Sequence, residues 1–211
     1  MLRIWGRTTS SNVQKVLWLA GEIGLDYERV DAGGPFGKVD EPAYRAMNPN
    51  GLVPTIADDG FVLWESNTIC RYLAARHGAE SMYPSPLQRR ADVERWMDWS
   101  STALAPALFP AFWGLVRTPA PQRDRDAIVA SADKSAAALR ILDAQLAGRP
   151  FLCGDALTLA DVTCGINTYR WFNLDFAAAD YRRPAMPNLQ AWYERLAARP
   201  AYRQAVMIPI T

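Results

Sequence analysis

Apolar and polar positions alternate in two different periods along this chain, and the change of period marks the elements. Leu2, Ile4 and the flanking Trp5 form a short apolar strand, followed by the polar run R-T-T-S-S-N over residues 7–12. From Val13 the apolar positions fall at Val16, Leu17, Ala20 and Ile23, which is helical spacing, and Gly24 is the expected stop. Residues 26–31 alternate as a second strand, and the glycine-rich stretch A-G-G-P-F-G-K separates them from a short helical piece over residues 42–47. Residues 55–57 and 61–64 read as two strands joined by Asp58, Asp59 and Gly60, a hairpin signature. A helix follows, with Ser66 as its N-cap, Ile69, Tyr72 and Leu73 on one face, and Gly78 at its end. The front half therefore reads β-α-β-α-β-β-α.

Residues 79–87 contain two prolines and carry no period, which places a domain linker there. Beyond it every strong pattern is helical. Residues 87–116 form a long pattern that the prolines at 106 and 110 are expected to kink or break, because each removes a backbone donor. Further helices are predicted over 124–146, 159–172 and 187–198. The expectation is an α/β domain over residues 1–80 and an all-helical bundle over 87–211.

At 211 residues, 50% of them hydrophobic and 21% charged, the chain can build two modest cores. A formal net charge of +1 provides no overall field for nucleic acid or anionic membrane, so neither is expected as a partner. No apolar run reaches the roughly 18 residues of a membrane span. The first residues lack the apolar stretch of a secretory signal, and the three cysteines contain no C-x-x-C pair. A reducing, cytoplasmic location is expected, with Cys70, Cys153 and Cys164 as small core residues. A single histidine, His77, excludes a multi-histidine metal site, and no metal is expected. The mixed-sign run over residues 88–92 reads as a solvated helix face.

Three places carry candidate chemistry. The hydroxyls and free amides of the R-T-T-S-S-N turn lie at a helix start, where an anion such as a thiolate is favoured. Lowering a thiol pKa by about two units needs roughly 2.7 kcal/mol, within reach of one hydroxyl donor and the helix dipole. Plain N-capping is the alternative use of these residues. Leu52-Val53-Pro54 follows an Asn-Pro-Asn-Gly turn, where a cis bond before Pro54 would leave the Val53 main chain able to pair with an extended peptide. Glu65-Ser66, at the next helix start, suits an ammonium group and a carboxylate respectively. Together the three describe a receptor for a short zwitterionic peptide bearing a thiol.

The segments LRIWG, N-P-N-G-L-V-P, E-S-N-T-I-C-R-Y-L and T-L-A-D-V, at their mutual spacing, resemble the cytosolic glutathione transferases over essentially the whole chain. The resemblance implies a thioredoxin-like front domain that binds glutathione, with Val53 and Pro54 pairing with the cysteinyl backbone and Glu65 and Ser66 holding the γ-glutamyl end. The turn has no tyrosine or cysteine, so a serine-type enzyme, theta-like or zeta-like, is implied. Its thiol-activating residue falls on Ser10, with Thr9, Ser11 and Asn12 close enough to compete. Theta-like members often carry a basic residue where this chain has Leu52, and Lys38 is the expected substitute for binding the glycyl carboxylate. Phe109, Phe112 and Trp113, with Trp5 and Phe36 as weaker candidates, are expected to wall the pocket of a small, largely apolar electrophile. Thr158 and Asp161 resemble the family's structural helix cap.

The implied activity is conjugation of the glutathione thiolate to that electrophile, a detoxification reaction, with glutathione as co-substrate and no prosthetic group. The implied assembly is a cytoplasmic homodimer. A non-catalytic glutathione-binding or protein-interaction member of the fold is the alternative, with glutathione-dependent isomerase or dehalogenase chemistry a further one. A dithiol oxidoreductase is disfavoured by the missing C-x-x-C.

Overall fold

A computed structural model describes residues 1–211. The front half contains β1 (Leu2–Trp5), α1 (Ser11–Glu22), β2 (Tyr27–Val30), α2 (Pro42–Met47), β3 (Thr55–Asp58), β4 (Phe61–Trp64) and α3 (Ser66–Arg76), in the order expected from the pattern. The strands form one sheet ordered β2-β1-β3-β4. β1 runs parallel to β2, as a crossover through a helix requires, and antiparallel to β3, pairing Ile4 with Ile56. β3 and β4 close the hairpin. Ile4 and Ile56 are fully buried under α1 and α3, completing a thioredoxin-like layer arrangement.

The second half is helical: α4 (Leu87–Trp99), α5 (Ala105–Phe112), α6 (Arg125–Gln145), α7 (Leu159–Asn173), α8 (Pro187–Ala197) and α9 (Pro200–Ala205). No helix is long and apolar enough to cross a membrane. Of the kink or break expected at Pro106 and Pro110, no break occurs. The chain stays helical from residue 87 to 117, with wider π-helical segments at Ser100–Leu104 and Trp113–Arg117 on either side of α5. Within α5 the Ser131 hydroxyl of α6 enters the ladder, accepting from the Ala111 N–H at 3.0 Å and donating to the Ala107 carbonyl at 2.6 Å. Two groups that would normally bond to each other are thereby satisfied by a third, and neither is orphaned.

α7 is the central helix of this half, buried along most of its length. Its start is a capping box in which Asp161 accepts from the Thr158 N–H at 2.9 Å and the Thr158 hydroxyl at 3.0 Å. The same carboxylate also accepts from the Leu152 N–H and the Trp192 indole, both at 3.0 Å. The cap therefore also fastens α8 and the 151–154 turn.

α1 packs against both halves. Trp18, fully buried, meets Tyr202 of α9 edge-on with ring centroids 4.6 Å apart. A Cβ at Gly165 of α7 would lie 3.0 Å from the Trp18 ring and 2.9 Å from Leu196, so only glycine allows α1 and α7 this approach. Arg199 adds a two-pronged ion pair to Glu22 at 2.8 and 2.6 Å.

Candidate active site

A cleft of about 1240 Å³ lies between the two halves. The polar turn after β1 forms one side of it. Ser10 occupies the N-cap position of α1 with an extended backbone, yet its hydroxyl makes no capping bond. The residue is only 9% exposed, and its hydroxyl is hydrogen-bonded to no other group of the chain, which leaves it free toward the cleft it lines. Plain N-capping is thus not how this serine is used. Thr9, Ser11 and Asn12 line the same wall. Asn12 is already engaged: its Oδ1 accepts from Lys15 at 3.1 Å and from the Ser66 hydroxyl at 3.3 Å.

The segment between α2 and β3 forms the floor. The Val53–Pro54 bond is cis. Asn48, itself buried, donates to the Leu52 carbonyl at 2.9 Å and to the Thr55 hydroxyl at 3.1 Å, and the Tyr44 hydroxyl reaches the Leu52 carbonyl at 2.7 Å. These bonds fix the loop while the Val53 N–H and C=O remain without a partner in the chain. Leu52 and Val53 line the cleft.

At the start of α3 the helix begins one residue earlier than a Ser66 cap would allow. Glu65 takes the N-cap position with φ at 76°, a left-handed conformation rare for a side-chain-bearing residue. Ser66 becomes the first helical residue, and its hydroxyl joins Asn12 and Lys15 instead of the helix end. Glu65 is exposed in the cleft and has no ion-pair partner in the chain.

Four expected positions fall elsewhere, one of them Pro54, which is buried and does not border the cleft. Lys38 and Phe36 are both exposed and neither borders the cleft. Gly33, Gly34, Gly37 and Lys38 all have positive φ, so the loop turns repeatedly and presents Gly33, Gly34 and Val39 inward. Trp5, half-buried in β1, is not part of the wall either. Phe109, Phe112 and Trp113 do border the cleft, with Phe112 buried and the other two half-exposed at its rim.

The structure brings five cations to the cleft, Arg7, Lys15, Arg71, Arg117 and Arg170, for which the pattern of the sequence gave no role. Lys15 is 6% exposed and donates to Asn12, Ser66 and Asn67 at 3.1, 3.4 and 3.3 Å, and burial pushes its pKa down. Its signal was its place four residues after Ser11, on the face of α1 that carries the polar turn. No group of three or more His, Cys, Asp or Glu side chains is gathered closely enough to hold a metal ion.

Two family models match this chain, glutathione S-transferase N-terminal domain over residues 9–76 and glutathione S-transferase C-terminal domain over residues 99–200. The chain belongs to the glutathione S-transferase family. Among its glutathione S-transferase relatives, GstB of Escherichia coli is 42% identical, with all of both chains covered. Glutathione S-transferase 3 of Zea mays is 32% identical, covering 97% of this chain and 93% of the relative. A theta class glutathione S-transferase of Xanthomonas axonopodis pv. citri, solved with glutathione bound, superposes with a TM-score of 0.93 at 47% identity, covering 100% of this chain and 99% of the other. These matches span both sides of the cleft.

Proposed function

We propose that this chain is a serine-type glutathione transferase in which the Ser10 hydroxyl donates to the glutathione thiolate and lowers its pKa. The observation that carries the reading is the free, nearly buried Ser10 hydroxyl at the α1 N-terminus, facing the same cleft as the unpaired Val53 main chain. Backbone amides and the helix dipole add to the stabilisation of negative charge at that point. The peptide extends along Leu52, Val53 and Pro54, with its γ-glutamyl end at Glu65 and Ser66. Its thiolate then attacks an electrophilic carbon held toward Phe109, Phe112 and Trp113: the carbon–sulfur bond forms, the leaving group departs with its electron pair, and the thiol proton has already gone to solvent. Glutathione is a co-substrate in this scheme.

Residues 80–86 serve as the connection between a glutathione-binding domain and the helical domain. A homodimer working in the cytoplasm is part of this reading, and the exposed Phe61, Val62 and Trp64 on β4 are apolar surface that a second copy would cover. Sizing chromatography tests the pairing, and a monomer at micromolar concentration contradicts it.

The experiment on the site is ultraviolet titration of the bound glutathione thiol in the wild type and in Ser10→Ala. The expected result is a depressed thiol pKa that returns toward its free value in the variant. Tight binding with an unshifted pKa would instead establish a glutathione-binding protein without activation.

A further inference from the structure

Five cationic side chains line the cleft, Arg7, Lys15, Arg71, Arg117 and Arg170, against two acidic ones, Glu65 and Asp98. The chain as a whole carries a net charge of only +1, so this is a local concentration. Arg71 is neutralised by Asp98 at 2.6 Å, and Lys15 is surrounded by oxygens of Asn12, Ser66 and Asn67. Of the other three, Arg7 and Arg170 have no carboxylate partner. Arg7 and Arg170 make no side-chain hydrogen bond within the chain, and Arg117 makes one, to the main-chain oxygen of Thr211 at 2.7 Å.

Arg7 and Arg170 are half-buried, and Arg117 is exposed beside them. The Arg170 guanidinium, half-buried at the end of α7, stacks over the Phe112 ring with 4.3 Å to the centroid, and Arg117 lies over the same ring at 5.9 Å. Arg7 packs on Gly33 and Gly34, where added Cβ atoms would each lie 3.1 Å from its side chain, beside Val53. Burial, then repulsion from Arg117 and Arg7, lowers the Arg170 pKa to about 10, so holding these charges together works against folding. Such a cluster is retained where a ligand supplies the missing charge.

We infer that the electrophilic co-substrate is an anion, with Arg117 and Arg170, joined by Arg7 at the edge of the peptide site, forming a receptor for a carboxylate or similar oxyanion. The planar guanidinium fork matches an oxyanion in two-pronged geometry. Phe109 and Trp113, rings 5.7 Å apart at the rim, receive the apolar or aromatic body of the same molecule. This inference rests on the transferase reading above and narrows its substrate class from largely apolar electrophiles to anionic ones. The glutathione carboxylates are the competing occupants; Arg117 and Arg170 belong to the helical half and lie over the Phe112 ring, whereas Val53, Glu65 and Ser66 belong to the front half.

The test uses two electrophiles with the same reacting carbon, 4-chloro-3,5-dinitrobenzoate and its methyl ester. In both, the thiolate forms a carbon–sulfur bond and chloride leaves with the electron pair. Each enzymatic rate is divided by the spontaneous rate with glutathione, because the ester is intrinsically the more reactive. The expected wild-type preference for the acid is about 10-fold or more, equivalent to about 1.4 kcal/mol. Arg170→Met and, as a second variant should it fold poorly, Arg117→Gln should bring the ratio toward one. Calorimetric binding of the unreactive 3,5-dinitrobenzoate and its methyl ester reads the anion site without turnover. Binding of the acid alone, with neither chloro compound consumed, would keep the anion site and reject the transferase reading. Equal handling of acid and ester by the wild type would overturn the inference. So would a loss of glutathione affinity in the variants as large as the loss of acid affinity, because the arginines would then belong to the peptide.

Discussion

The ammonium of Lys15 in α1 and the hydroxyl of Ser66 in α3 meet at 3.4 Å across 51 positions of sequence, joining the starts of the two helices that flank the cleft. Asn12 binds both of them, so three polar groups from two helix starts share one network, buried at Lys15 and Ser66 and open at Asn12. Lys15→Met keeps the length of the side chain and removes its charge. Since burial already disfavours the charged lysine, folding stability should change little, with a Tm within about 3 °C of the wild type. Glutathione affinity should fall by about 10-fold, or about 1.4 kcal/mol, as Ser66 and Asn12 lose their shared partner. Calorimetry and thermal melting on the same preparation separate the two effects, and a large stability loss with unchanged affinity would make Lys15 a structural residue.

Ser131→Ala should destabilise the protein by about 2 kcal/mol, because the Ala111 N–H and Ala107 carbonyl lose the hydroxyl that serves both. Ser135→Ala, removing a hydroxyl that bonds to its own helix at Ser131, should cost under about 1 kcal/mol. Urea unfolding of the two variants gives the comparison, and equal losses would contradict the bridging role of Ser131.

Asp161→Ala leaves the Thr158 and Leu152 amides and the Trp192 indole without an acceptor in a fully buried place. A loss of about 3–5 kcal/mol is expected, against about 0.5–2 kcal/mol for Thr158→Ala, which weakens the cap alone. Denaturant midpoints falling by the same amount in both variants would show that the bonds to Leu152 and Trp192 add nothing.

Stability should fall in alkaline solution. Burial pushes the thiols of the fully buried Cys70 and Cys164 up to about 12, whereas in the unfolded chain a thiol titrates near about 8.5. Above that value the unfolded chain releases protons that the folded chain retains, so stability decreases with pH until the folded thiols titrate. For the pair the loss between pH 7.5 and 9.5 amounts to about 2.7 kcal/mol. Lys15, with its pKa lowered, acts in the opposite direction. Urea unfolding under reducing conditions at the two pH values measures the slope, and Cys70→Ala with Cys164→Ala should reduce it, leaving the part due to Cys153, whose thiol burial also pushes up to about 12.

The order of elements was legible because period and punctuation agree at each step, from Gly24 after α1 to the Asp-Asp-Gly turn between β3 and β4. That Leu52, Val53, Glu65 and Ser66 meet at one cleft could be anticipated for a related reason: they occupy a helix start and a proline turn, whose chemistry is local. Lys38 and Phe36 were misplaced because a loop with four positive φ angles has no period from which its inward face can be read. Arg170 was invisible for a different reason. Within the apolar stripe of α7 its neighbours predict burial, but whether an arginine there is paired depends on the helices opposite, and these bring Phe112, Arg117 and Arg7 rather than an acid.

The Trp18–Tyr202 contact, the close approach at Gly165 and the Glu22–Arg199 pair all run through α1. The helix capped at Ser10 therefore ends packed against the other half, and the two halves are not interchangeable modules. A chimera taking residues 1–80 from this chain and its helical half from a distant relative would expose an indole at Trp18 unless Gly165, Leu196 and Tyr202 travelled with it. New substrate preferences are more readily acquired by changing the arginine and aromatic wall in place than by exchanging the domain that carries it.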